Sequence, residues 1–131
     1  MSPAPVTSLY TALLALWVVV LIARVVMLRW RLRAGEGDSG HRDLAKAIRV
    51  HGNAIETMPI ALLTMFAYEL GGGSASLLHG CGILLIVGRL AHAQGLSKTF
   101  GASAGRMAGT ATVFTVVIGL ATLILLRSFH G

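Results

Sequence analysis

The length of its apolar stretches limits this chain to very few folds. The first stretch runs from about residue 6 to residue 27, and its only charged residue, Arg24, lies near the end. At a helical rise of about 1.5 Å per residue, such a segment crosses a hydrocarbon core of about 30 Å. The chain of 131 residues is 55% hydrophobic and only 12% charged, which is too apolar for an ordinary water-soluble domain. We therefore predict an all-α integral membrane protein.

Turn signals divide the chain into four predicted transmembrane helices that form one bundle and a single domain over residues 1–131. The predicted helices cover about residues 6–30, 42–70, 74–95 and 105–127. A glycine-rich hydrophilic loop separates the first two, and the run Gly71-Gly72-Gly73-Ser74 makes the second and third antiparallel neighbours. Small residues four apart, at Gly101, Gly105 and Gly109, predict close approach of helices.

The basic residues set the predicted orientation. Lysine and arginine are dense between the first two helices, and Lys98 lies between the last two, whereas the N-terminal tail and the glycine turn hold none. Positively charged loops stay in the cytosol, so we expect both termini on the non-cytosolic side of the bilayer. The net charge of +6 is spread over loops and not gathered in one polar domain, so we expect no nucleic-acid partner.

Two of the apolar segments carry ionisable residues near one end. In the second, Arg49, Asn53 and Glu56 fall within a narrow arc of one helix face. The third carries Arg89 and His92. Counted along the helices from the glycine turn, Glu56 and Arg89 lie at similar depth, where an unpaired charge is costly. We therefore predict a salt bridge between Glu56 and Arg89.

These residues and Arg106 predict a cationic pocket near the cytosolic end, open laterally to lipid. Arginines bind carboxylates through two parallel hydrogen bonds, and Glu56 or Asn53 suits an ammonium or peptide N–H. A nearby arginine also favours the thiolate form of a thiol ligand. We expect a small polyanion with an amino group, meeting an apolar co-substrate dissolved in the membrane. His51 and His92 stand on separate helices without a nearby cysteine or second carboxylate, so we predict no metal site.

The motif Arg49-x-x-x-Asn53-x-x-Glu56 followed by Pro59, with Arg89-x-x-His92 in the third of four apolar segments, resembles the MAPEG family of membrane-associated proteins in eicosanoid and glutathione metabolism. The resemblance is greatest to its small bacterial branch of inner-membrane proteins. It implies a homotrimer of four-helix subunits with glutathione bound at each subunit interface. The residues that the resemblance places at the glutathione site are Arg49, Asn53, Glu56, Arg89 and His92, and Arg106 matches the arginine credited with stabilising the thiolate.

One position departs from the family pattern. Characterised members carry a tyrosine four residues after the position of His92, where this chain has Leu96. The leading prediction is a glutathione-dependent transferase or peroxidase that conjugates or reduces a hydrophobic electrophile. One alternative is a non-catalytic membrane scaffold or ligand-binding protein, which fits the missing tyrosine. The other is a small four-helix exporter with Glu56 as its proton-coupled carboxylate.

Overall fold

The computed structural model describes residues 3–98 and 104–130, and these form four α-helices. The helices are α1 (Pro5–Leu32), α2 (Arg42–Leu70), α3 (Ala75–Lys98) and α4 (Ala104–His130). Stretches of α1, α3 and α4 are long and apolar enough to cross a membrane. The first half of α2 is more polar, because it carries Arg42, Asp43, Lys46 and the Arg49–Glu56 motif. The predicted four-helix membrane fold is confirmed.

The helix ends follow from local backbone chemistry. α1 begins at a proline, whose missing N–H costs nothing in the first turn. It ends where Arg33 adopts a left-handed conformation with φ 52°, and the next N–H, of Ala34, donates to the Arg29 carbonyl at 3.0 Å. Between α2 and α3, Gly72 has φ 73° and the Gly73 N–H donates to the Tyr68 carbonyl at 2.9 Å. This turn reverses the chain, so α2 and α3 run antiparallel as predicted.

Helix α2 packs against each of the other three helices. The core holds large apolar side chains with almost no exposure, among them Leu14, Met65, Leu78, Leu85 and Leu120. The outer faces of the helices that are long enough to span a membrane are also apolar. On α1 and α4, Leu16, Phe114 and Ile118 are each more than half exposed. An apolar surface of this kind fits contact with lipid chains. Because α2 contacts all three other helices, part of its more polar surface is shielded from lipid.

Two glycines let α3 and α4 approach closely. A Cβ on Gly88 of α3 would overlap the side chain of Thr112 on α4. A Cβ on Gly109 of α4 would overlap the Cβ of His92 and the carbonyl of Gly88. Gly109 belongs to the predicted stripe of small residues, while Gly101 of that stripe lies outside the described residues. The close approach brings the backbone of α4 against the polar positions of α3.

Candidate ligand-binding site

A polar cavity of about 310 Å³ lies toward the end of the bundle where α2 and α4 begin, the predicted cytosolic end. Its volume is at the lower end of the range of about 300–1,000 Å³ typical of small-molecule sites. Three helices line it, and five of the six predicted site residues are among its walls: Arg49, Asn53, Glu56, His92 and Arg106. The cavity thus gathers residues that are far apart along the chain.

One face of α2 supplies most of the wall. Arg49, Asn53 and Glu56 follow one another at spacings of four and three, so successive helical turns present them on the same side. Gly52 also lines the cavity, and a Cβ built there meets no atom within 4 Å. The glycine therefore leaves room beside the polar side chains.

The charge of the cavity is mainly positive. Arg49 on α2 is exposed and Arg106 on α4 is half-buried, while Glu56 supplies the one carboxylate of the lining. His92 is only 4% exposed, since its Cβ lies close to Gly109. Arginine side chains at the mouth of a partly enclosed cavity attract carboxylate or phosphate groups. The geometry therefore suits an anionic small molecule.

Arg89 does not line this cavity but lies behind it. Its side chain is 3% exposed, and its Nη1 donates to Asn53 Oδ1 at 2.7 Å and to Thr57 Oγ1 at 3.2 Å. Its Nη2 donates to the backbone carbonyl of Gly109. The predicted salt bridge between Glu56 and Arg89 is therefore wrong. Arg89 instead ties α2, α3 and α4 together through neutral acceptors.

The error has a geometric cause. Similar depth along two helices does not fix the angle around each helix, and Glu56 occupies the exposed, cavity-lining side of α2. Sequence reasoning also missed Thr57, whose hydroxyl donates to the Asn53 carbonyl at 2.7 Å and accepts from Arg89. The spacing of four residues between Asn53 and Thr57 was the available signal. Residues four apart on a helix lie side by side, so a donor that reaches Asn53 can also reach Thr57.

A second polar cluster lies at the opposite end of the bundle. Glu69, at the end of α2, accepts hydrogen bonds from the backbone N–H groups of Val6 at 2.9 Å and Thr7 at 2.7 Å. The hydroxyl of Tyr10 lies 3.1 Å from His79 Nδ1, so His79 joins α1 and α3. Sequence reasoning gave no role to Glu69. Its carboxylate caps the start of α1, far from the cavity.

The family tyrosine has no substitute near the cavity in the described structure. Tyr10 lies at the opposite end, and so does Tyr68, which packs under Arg127 with the guanidinium carbon 4.6 Å from the ring centroid. Leu96, which stands at the place of that tyrosine, lies outside the residues whose side chains the structure describes. The replacement of the family tyrosine by Leu96 is therefore described by the sequence alone.

Comparison with known proteins places the chain in a family. The sequence matches the MAPEG family over residues 7–126. It is 43% identical over 90 residues to the inner membrane protein YecN of Escherichia coli K12, an alignment that covers 69% of each chain. The protein of the same name from Escherichia coli O6:H1 gives the same identity and coverage. With its membrane-long helices, the chain is a multi-pass inner membrane protein and belongs to the MAPEG family.

Proposed function

We propose that the protein is a membrane-bound, glutathione-dependent transferase or peroxidase acting on a hydrophobic electrophile. The observation that carries the proposal is the single cavity in which Arg49, Asn53, Glu56, His92 and Arg106 meet. The other surfaces of the bundle are mostly apolar. Packing of the helices alone does not require this many hydrogen-bond donors and a carboxylate in one cavity. Membership of the MAPEG family supports glutathione as the ligand.

The chemistry of the lining matches the groups of glutathione. That tripeptide carries two carboxylates, one ammonium and a thiol. Arg49 and the Asn53 amide offer donors to carboxylates, and Glu56 is the one lining acid that would attract the ammonium. Arg106 remains to stabilise the sulfur. Each charged group of the ligand thus has a partner of opposite charge or suitable polarity in the lining.

The proposed catalytic role of Arg106 is to favour the thiolate. A free thiol has a pKa of about 8.5, and a nearby guanidinium lowers that value. In transfer, the thiolate sulfur supplies the electron pair of the new carbon–sulfur bond, and the leaving group departs with the pair of the bond that breaks. In peroxide reduction, the sulfur takes the terminal oxygen and releases an alcohol after protonation. A second glutathione then reduces the sulfenic acid, giving the disulfide and water.

The exposed part of α2 supports a homotrimer with the cavity near a subunit interface. Arg49 and Glu56 are exposed in the single chain, as are Ile55 at 49% and Leu63 at 61%. Ionisable residues of membrane helices ordinarily face a protein interior or a polar cavity and not lipid. A neighbouring subunit that covered this face would shield the charges and enclose the cavity, while the bilayer would deliver the apolar substrate.

Titration of detergent-purified protein with glutathione, by calorimetry and by ultraviolet absorbance of the thiolate, tests the proposal. We expect binding and a thiolate signal near neutral pH. Arg106→Leu should remove the signal and largely spare affinity, because Arg49 would still hold a carboxylate. Arg127→Leu, at the opposite end of the bundle, is the matched control and should change neither.

Two outcomes would contradict this function in different ways. Absence of binding at millimolar glutathione would favour the scaffold alternative. Binding without a thiolate signal up to about pH 8, near the ordinary thiol pKa, would leave a ligand-binding protein without the proposed catalytic chemistry. A screen of hydrophobic electrophiles and hydroperoxides would then separate transferase from peroxidase activity.

A further inference from the structure

We infer that Arg89 is a positioning residue that determines which part of the ligand Asn53 binds. Arg89 donates a hydrogen bond to the oxygen of the Asn53 amide, so the amide presents its NH₂ group to the cavity. That NH₂ group selects a ligand atom that accepts a hydrogen bond, such as a carboxylate or carbonyl oxygen. This inference rests on the proposed function only in using glutathione as one of its probes. It assigns Asn53 to a carboxylate and leaves the ammonium to Glu56.

The orientation of Asn53 follows from the chemistry of its partner. A guanidinium has five N–H donors and no acceptor, whereas an amide side chain has one oxygen acceptor and one NH₂ donor. The atom of Asn53 that lies 2.7 Å from Arg89 Nη1 must therefore be Oδ1. Since Asn53 also lines the cavity, the group it has left to offer a ligand there is the NH₂.

The electrostatics reinforce this selection. The three acceptors around the Arg89 guanidinium are an amide, a hydroxyl and a backbone carbonyl, all neutral. Arg89 is 3% exposed, so its positive charge is only weakly screened by solvent. That charge lies directly behind Asn53 and adds to those of Arg49 and Arg106. An anionic group beside Asn53 is favoured and an ammonium is disfavoured.

Arg89 also holds α4, the helix that contributes Arg106 to the cavity wall. Its Nη2 holds the carbonyl of Gly109 on α4, and Arg106 lies one helical turn earlier on the same helix. The glycine at 109 lets α4 approach near enough for this bond, since a Cβ there would overlap His92. One buried side chain thus sets the spacing between Asn53 and Arg106 across the cavity.

Asn53→Asp gives the decisive test, because it should change stability and binding in opposite directions. The new carboxylate would pair with Arg89, so the thermal midpoint should rise. The same substitution removes the NH₂ donor and adds a negative charge, so affinity for glutathione should fall about tenfold or more. Asn53→Leu, the matched control, should lower both the midpoint and the affinity. If the Arg89–Asn53 bond had only a structural role, affinity and thermal midpoint would change in the same direction in both variants, rising in Asn53→Asp and falling in Asn53→Leu.

Glutarate, a dicarboxylate with neither thiol nor amine, separates this inference from the proposed function. Wild-type protein should bind glutarate, and Asn53→Asp should weaken that binding. If wild-type protein binds glutarate but not glutathione, and Asn53→Asp weakens glutarate binding, the proposed function fails and the inference stands. If it binds glutathione and Asn53→Asp leaves the affinity unchanged or raises it, Asn53 does not select an anion and the inference is overturned. Failure to bind either probe overturns both.

A double-mutant cycle tests whether Arg89 acts through Asn53. Arg89→Lys keeps the charge, but a single ammonium cannot reach acceptors on both α2 and α4 as the planar guanidinium does. It should weaken glutathione binding in the wild-type background and have little further effect in the Asn53→Leu background. Arg49→Lys, at a residue that lines the cavity, should weaken binding in both backgrounds, because an ammonium cannot hold a carboxylate through two parallel hydrogen bonds. Additive losses for Arg89→Lys and Asn53→Leu would mean that Arg89 contacts the ligand itself.

Discussion

Glu69 is expected to contribute more to stability than any other acidic residue in the described structure. Its two carboxylate oxygens accept the N–H groups of Val6 and Thr7, at 2.9 and 2.7 Å. The residue that precedes α1, Ala4, makes no side-chain capping bond. The first turn of α1 therefore depends on a carboxylate more than sixty residues away in sequence, at the end of a neighbouring helix.

The size of the effect can be bounded from the two bonds. Loss of an ordinary N-cap costs about 0.5–2 kcal/mol, which sets the lower limit. Two hydrogen bonds to a charged group contribute about 3–6 kcal/mol together, which sets the upper limit. Glu69 is only half-buried, so water competes and the value should lie toward the lower limit. We expect Glu69→Ala to cost about 2–3 kcal/mol and to lower the thermal midpoint by roughly 5–10 °C.

Thermal unfolding of purified protein in detergent measures this effect. Glu69→Gln keeps one oxygen acceptor but replaces the other with an NH₂ group, which is a donor and cannot accept from a backbone N–H. The thermal midpoint of this variant should therefore fall between those of wild type and Glu69→Ala. Glu36→Ala, in the exposed loop between α1 and α2, removes an acidic residue without touching a helix start and is the control. Equal midpoints for Glu69→Ala and Glu36→Ala would refute the reasoning.

Two matched pairs of variants test the packing and the Arg89 network by the same thermal assay. Gly88→Ala should cost about 1–3 kcal/mol, because its Cβ would overlap a threonine of α4, whereas Gly80→Ala should be tolerated, since no atom lies within 4 Å of a Cβ built there. Thr57→Val should destabilise by about 1 kcal/mol more than Thr64→Val. Both hydroxyls donate to the carbonyl four residues earlier at 2.7 Å, but Thr57 also accepts from Arg89. Equal losses within either pair would contradict the assigned contacts.

The helices and one wall of the site were predictable because they depend on local patterns. Apolar length and glycine turns fixed four helices, and the helical period placed Arg49, Asn53 and Glu56 on one face. Both signals act within a few residues of the chain. The structure accordingly shows these three side chains lining one cavity.

Contacts between helices were not predictable in the same way. The depth of Arg89 could be counted from the glycine turn, but its partner depends on how α2 and α3 are rotated about their axes. That rotation is set by packing, including the close approach at Gly109. Glu69 posed the same difficulty, since nothing local indicates that the end of α2 lies beside the start of α1.

The two kinds of charge in this bundle are accommodated by different means. Arg89 is enclosed by the protein, and its Nη1 and Nη2 donate to neutral acceptors on α2 and α4. Arg49 and Glu56 project from the side of α2 that the single chain leaves exposed. Helix α2 contacts α1, α3 and α4, so this remaining side is where a neighbouring subunit or a polar ligand would lie in the proposed trimer. The buried charge of Arg89 therefore shapes the cavity, and the charges that line the cavity are the ones available to bind what enters it.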